Sequence, residues 1–253
     1  MTSIMEQHKK NEILPFCLGI FLIAFLLQIA GWLKGDRLVF PGTLDILRAF
    51  FRLLGEGKTW LVIRTTLFHL LEAVAVSTLI GLAIGTAEGI SPFIRTLLKP
   101  LMILLRSIPM IILVVIIMVL FRYDRVPLIA PSLLLVPMIS EATAEGFLRI
   151  DPDLMDVYRM DSDFNFWVFR HVHLRLMAGY LWQAYTNTVG MGLKLVVTTE
   201  YLVQTRNSLG KAVYNSNYLN EYEEVYAYAL MMVFLVLFVS ALPRWIEKAF
   251  TGD

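Results

Sequence analysis

The residues of this chain that could do chemistry are ionisable groups set inside long apolar runs: Arg64, Glu72, Glu88, Arg106, Glu141, Glu145, Lys194 and Glu200. A charge in lipid is costly, so such groups face a bundle interior or a water-filled path, or pair with one another. Glu141 and Glu145 are four apart and share a helix face. Thr186, Asn187 and Thr188, with Lys194, Thr198, Thr199 and Glu200, make one run unusually polar. Glu72, Arg106, Glu141, Asn187, Lys194 and Glu200 are therefore candidates for a path that carries a polar solute, lined by the second to fifth apolar runs. The competing reading is pairing between helices, for example Lys194 with Glu141 or Glu72. The residues alone favour neither. Glu88 and Glu145 fall near the ends of their runs and are expected to reach water. The set holds more acid than base, which suits a neutral or cationic solute at least as well as an anion.

Other signals are weaker. Gly57-Lys58-Thr59 ends like a nucleotide-binding loop, but the glycine required five positions earlier is Arg52, and an amphipathic helix stands where a strand should. His171 and His173 are two apart, so on a helix they diverge and do not chelate one metal. No nucleophile–base set can be assembled, and neither a metal site nor a cofactor site is expected in this chain. Cys17 is the only cysteine, which excludes an internal disulfide.

The elements that must position these groups are membrane spans. Of 253 residues, 57% are hydrophobic and only 17% charged, where a soluble domain carries about a quarter charged residues. The net charge of +1 gives no reason to expect a nucleic-acid partner. Six runs reach the roughly 20 residues that cross a bilayer: 14–33, 60–88, 97–121, 126–147, 177–202 and 225–246. The expected fold is an all-α integral membrane protein with about six transmembrane helices in one domain spanning 1–253. The first run lacks a small-residue cleavage site and is expected to be retained as a span. Between the first two runs, Leu44, Leu47, Phe50, Phe51 and Leu54 recur at helical spacing, with Arg48 and Arg52 on another face. They predict an amphipathic surface helix over about 43–55. Loop charges barely choose an orientation.

One charged stretch, Asp151–Arg175, stands apart from all of this. Asp151 can cap a helix with Pro152 at its first position, and Asp153 and Asp156 sit where the helix dipole favours acid. Leu154, Val157 and Tyr158 line one face, Ser162 or Asp163 can cap a second helix, and Phe166, Trp167, Phe169 and Arg170 follow. Aromatic residues with arginine make the kind of surface that protein interfaces favour. An amphipathic loop resting on lipid headgroups is the plainer alternative.

This stretch resembles the cytoplasmic coupling loop of ABC importer permeases, the binding-protein-dependent transport inner-membrane family. Asp156-Val157-Tyr158 stands at the acid-alanine-alanine start, Ser162 at the glycine, and His171-Val172-His173-Leu174-Arg175 at the hydrophobic ending. Both alanines, the glycine and the closing proline are replaced. Leu105-Arg106-Ser107-Ile108-Pro109 is similar to the LRxxP opening of the third span in the sulfonate, taurine and nitrate branch. Gly81 and Gly85 match its small-residue helix contact, Glu200 its glutamate ending the fifth span, and Asn207-Ser208-Leu209-Gly210 its Ser-Gly-hydrophobic-Gly turn.

The resemblance implies a type I ABC importer permease, with transport of a small organic or anionic nutrient by alternating access. It implies that Asp153, Asp156, Val157, Tyr158, Ser162, Phe166, Trp167 and Arg170 couple to a separate ATPase. Two such ATPase subunits, holding ATP and magnesium, a second permease copy and an extracytoplasmic substrate-binding protein are the implied partners. The loop then faces the cytoplasm, and the four spans before it put the N-terminus there too. An energy-coupling scaffold with a separate membrane substrate-binder, an ATP-independent channel and a membrane enzyme are the competing functions.

Overall fold

A computed structural model describes Ile29, residues 41–150 and residues 173–251. The expected first span, apart from Ile29, and the expected coupling residues Asp153, Asp156, Val157, Tyr158, Ser162, Phe166, Trp167 and Arg170 lie outside the described residues. The elements in chain order are α1 (Thr43–Gly55), α2 (Gly57–Ile90), α3 (Pro92–Ser107), α4 (Met110–Leu120), a 3-10 turn (Tyr123–Arg125), α5 (Val126–Leu148), a short turn (Leu174–Leu176), α6 (Ala178–Val203), α7 (Leu209–Tyr218) and α8 (Tyr222–Thr251). No strand occurs among the described residues. The chain forms two compact units, one of residues 1–59 and 213–231, the other of residues 60–212 and 232–253.

In the first unit, α1 covers the stretch whose apolar spacing marks it as amphipathic. Ala49 and Leu53 are buried, and Leu44 and Phe51 are exposed. Arg52 in its last turn donates to Glu224 Oε1 at 2.8 Å, and Ser216 Oγ donates to Glu224 Oε2 at 2.9 Å. One carboxylate thus ties three chain segments together.

The second unit is organised around α5. Three described helical stretches are long and apolar enough to cross a membrane: α2, residues 123–148 and residues 222–243. The apolar residues of α2 are spread around the helix, the pattern of a helix with lipid on one face and protein on the other. Leu71, Leu79 and Phe68 point outward, while Leu70 and Ala73 are buried. α6 has 26 residues and is about 39 Å long at 1.5 Å per residue, enough to cross. Its hydroxyl, amide and lysine side chains keep it out of the set that qualifies on apolarity. It packs along much of α5 instead.

The third span, expected as one continuous helix over 97–121, is broken. α3 and α4 meet at 103° across Ile108–Pro109. Pro109 cannot donate an N–H, and it forces Ile108 into extended backbone with ψ 123°, which ends α3. α4 has 11 residues and is about 17 Å long, too short to cross the roughly 30 Å of hydrocarbon alone. The bend sets Arg106 at the last turn of α3, where the helix dipole favours a cation.

α2 meets α5 through glycines at four-residue spacing. A Cβ on Gly81 would lie 2.8 Å from Ile139 Cβ, one on Gly85 2.6 Å from Thr143 Cβ, and one on Gly89 2.6 Å from Phe147 Cβ. No side chain fits at such distances without a shift, so α2 packs closely against α5 through these glycines. Two of these glycines are legible as a small-residue pair, and Gly89 extends the contact by another turn.

Candidate translocation site

A cavity of about 670 Å3 opens between the α3–α4 bend, α5 and α6. Its polar lining is Arg106, Glu141, Glu145, Asn187 and Thr188, and Met110, Met138 and Met191 supply apolar wall. The volume lies within the 300–1,000 Å3 typical of small-molecule sites. A second cavity of about 340 Å3 shares Arg106, Glu141 and Glu145 and adds Glu88, Arg95 and Lys99. Glu141 and Glu145 border both spaces because they are one turn apart on α5.

Arg106 Nη2 pairs with Glu141 and donates to the Pro137 carbonyl at 3.0 Å. The interhelical pair is therefore Arg106 with Glu141. The alternative pairing of Lys194 with Glu141 or Glu72 is absent among the described residues. Lys194 is exposed on α6, and its carbonyl accepts from Thr198 Oγ1 at 2.8 Å. Glu72 is half-buried on α2, and neither residue lines either cavity. The larger cavity is walled by the third, fourth and fifth apolar runs, and α2 contributes nothing to it. The sealed Gly81–Gly85–Gly89 contact with α5 leaves no room there.

Glu88 was expected to reach water near the end of its run. It is buried and accepts from Ser140 Oγ at 3.0 Å. The same close α2–α5 approach encloses it. Glu145 is exposed and has no ion-pair partner among the described residues.

Thr188 is the least expected member of the lining. Thr186, Thr198 and Thr199 each donate to the carbonyl four residues earlier. Thr188 is 0% exposed, and its Oγ1 has no hydrogen-bond partner among the described residues. Its place in a run of polar residues next to Asn187 was the only sequence signal for it.

Glu200 occupies a different setting. It is 0% exposed at the end of α6, and its carboxylate accepts from Thr66 Oγ1 at 2.8 Å and from the Gly210 N–H at 3.2 Å. His69 Nδ1 lies 2.7 Å from its other oxygen. Thr66 Oγ1 in turn accepts from the Leu209 N–H at 2.9 Å. The first free N–H groups of α7 are thus met by a hydroxyl and a carboxylate, the arrangement that a helix N-terminus favours. Ser208 Oγ accepts from the Lys211 N–H at 3.2 Å and completes the cap. Gly210 has no alternative, since a Cβ there would sit 2.5 Å from Glu200 Cβ. The Glu200 and Asn207–Gly210 motifs belong to this single junction, and Glu200 lines neither cavity.

Of the six path candidates, the structure brings Arg106, Glu141 and Asn187 together at one cavity. It places Glu72, Lys194 and Glu200 elsewhere. Among the described residues no three metal-ligating side chains converge.

Comparison with known proteins agrees with this architecture. Residues 77–252 match the family described as binding-protein-dependent transport system inner membrane component. A probable ABC transporter permease protein of Brucella melitensis is 22% identical over 239 residues, covering 92% of this chain and 96% of the relative. A Brucella abortus counterpart is also 22% identical, covering 92% and 95%. An inward-facing structure of the MetNI methionine ABC transporter superposes with a TM-score of 0.62 at 20% identity, over 77% of this chain and 98% of that one. Another crystal form of that transporter gives 0.60 at 21% identity. An all-helical bundle with this topology, polar groups gathered at one cavity and a family match over most of its length together establish that the chain belongs to the binding-protein-dependent transport inner-membrane family and is a permease component of an ABC importer.

Proposed function

We propose that the chain forms the solute path of an ATP-driven importer for a small organic or anionic nutrient. The cavity at the α3–α4 bend carries this reading: it gathers polar side chains in helices whose outer faces are apolar. Polar groups at membrane depth are tolerated where they line a cavity.

In this reading two cytoplasmic ATPase subunits hold ATP and magnesium and grip residues 151–175 through Asp153, Asp156, Val157, Tyr158, Ser162, Phe166, Trp167 and Arg170. A second permease copy completes the path, and an extracytoplasmic binding protein delivers solute to the segments at 34–59 and 204–224. The N-terminus is cytoplasmic. ATP-driven closure of the ATPases tilts the helices and opens the path outward, and hydrolysis resets it. The bend at Ile108–Pro109 is a natural pivot, because no helical hydrogen bond crosses Pro109 nitrogen. The names of the relatives support the transporter class and leave the solute open.

The test is gentle purification from the native membrane with crosslinking and mass spectrometry. An ATPase recovered in about equal amount and crosslinked within 151–175 is the expected result. Its reproducible absence overturns the ATP-driven reading and makes a stand-alone channel the better account.

A further inference from the structure

We propose that α1 lies in the membrane interface with Leu44, Leu47 and Phe51 set among lipid acyl chains, and that the Arg52–Glu224 pair holds it at that depth. The partner of this face is the lipid surface itself. α1 precedes residues 77–252, which match the family, so the match does not extend to it. The inference rests on the chain spanning a membrane and depends on neither the ATPase nor the solute.

The faces of the helix come first. A surface helix that meets only protein and water needs two faces, one apolar and one polar. α1 has three. Ala49 and Leu53 are buried, with Ile46 and Phe50 half-buried beside them, and this side turns toward protein. Asp45, Arg48 and Arg52, at i, i+3 and i+7, form a charged stripe on which both arginines are exposed. Leu44, Leu47 and Phe51 repeat that spacing one residue earlier and form an apolar stripe, with Leu44 and Phe51 each 68% exposed. At about 3.6 residues per turn the three stripes divide the helix into roughly equal thirds. Three such faces suit a helix on the line where protein, lipid and water meet.

The depth of α1 follows from a separate observation. Glu224 lies in the first turn of α8, directly before the apolar run that opens at Val225, and the stretch of α8 able to cross a membrane starts at Tyr222. Tyr222 and Tyr226 flank it, and tyrosine favours the headgroup level. Arg52, in the last turn of α1, donates to Glu224 Oε1 at 2.8 Å, and Ser216 Oγ holds the other oxygen at 2.9 Å. The end of α1 is therefore fixed where α8 enters the hydrocarbon. At that level the long stems of Arg48 and Arg52 carry their charges to headgroups and water. The apolar stripe then reaches about 5–10 Å into the boundary between headgroups and acyl chains.

The experiment places a nitrobenzoxadiazole fluorophore on single cysteines in the full chain carrying Cys17→Ser, reconstituted in phosphatidylcholine liposomes. The positions are Leu44→Cys and Phe51→Cys, with Arg48→Cys as the water-facing control. Two quenchers are compared, phosphatidylcholine brominated near the glycerol end of its acyl chains and iodide in the buffer. The expected result is that the labels at 44 and 51 lose fluorescence to the brominated lipid and not to iodide, while the label at 48 responds the other way. Labels at 44 and 51 that iodide quenches as strongly as the label at 48 overturn the proposal, because the face then meets water. Labels at 44 and 51 protected from both quenchers also overturn it, because a second copy or the expected first span then covers the face. Arg52→Ala should shift the label at 51 from lipid quenching toward iodide quenching, and an unchanged response removes the depth-setting role of the Arg52–Glu224 pair.

Discussion

Two carboxylates of this chain sit in apolar helices and have opposite surroundings. Glu200 is sealed, and hydroxyl, imidazole and backbone N–H groups satisfy both its oxygens. Glu145 stands open at a cavity and forms no ion pair among the described residues. An ionisable residue in a span does not by itself mark a path. What separates the two is whether the protein satisfies the group. A carboxylate that spends its acceptors on the fold holds helices together, whereas one left unsatisfied is available to a solute.

The largest effect that could break this contrast is at the sealed site. Glu200→Ala leaves Thr66, His69 and the Gly210 N–H without their partner in a buried space. A loss of about 3–5 kcal/mol is expected, the range for removing one partner of a buried charged network. Thermal unfolding in detergent measures it, and Glu200→Gln should recover part of the loss because one carbonyl oxygen remains. A Glu200→Ala chain as stable as wild type would show that the junction is not a structural lock.

The next effect sharpens the same point from packing. Gly85→Val puts two methyl groups where even a Cβ meets Thr143 at 2.6 Å. Overpacking of this kind costs about 1–3 kcal/mol. The chain should elute poorly folded in size-exclusion chromatography while Gly179→Ala, at an open position, should not change its behaviour.

The smallest stability effect belongs to the open site. Arg106 and Glu141 are 41% and 54% exposed. Arg106→Ala is expected to change stability by about 1 kcal/mol or less, as exposed pairs do. Its transport effect should be larger than its stability effect, since it frees Glu141 and adds to the cavity's negative charge. Uptake and unfolding measured on the same preparation would separate the two. A stability loss as large as that of Glu200→Ala would erase the distinction between the regions.

Much of the architecture is legible from apolar run length alone. The runs at 60–88, 126–147 and 225–246 each lie within one helix, and the run at 177–202 does so from Ala178 onward. The lipid-facing surface needs no specific partner, so hydropathy suffices to find it. The third run was the exception. Pro109 was visible in the sequence, but whether a proline kinks a span gently or splits it depends on what the neighbours offer the freed backbone groups. Here the result is a 103° turn.

The candidate site was less legible. Arg106, Glu141 and Asn187 are recognisable as charges and amides in apolar surroundings, and they converge. Glu72, Lys194 and Glu200 have the same chemical character and do not. Residue type and spacing identify a helix face, while the direction of that face depends on how three or four helices pack. The glycines of α2 made the difference, closing the α2 side of α5 and leaving the α3–α4 and α6 sides for a cavity.

The sequence by itself determined the membrane-spanning helical class, the amphipathic helix at 43–55 and the family, because burial in lipid and local helical periodicity act over short stretches of chain. Only the tertiary structure decided that Arg106 pairs with Glu141, that Glu200 is a helix cap, and that, among the described residues, Glu145 has no ion-pair partner and the buried Thr188 Oγ1 no hydrogen-bond partner. Those outcomes depend on distances between residues far apart in the chain, which close packing of the helices sets and no local pattern encodes.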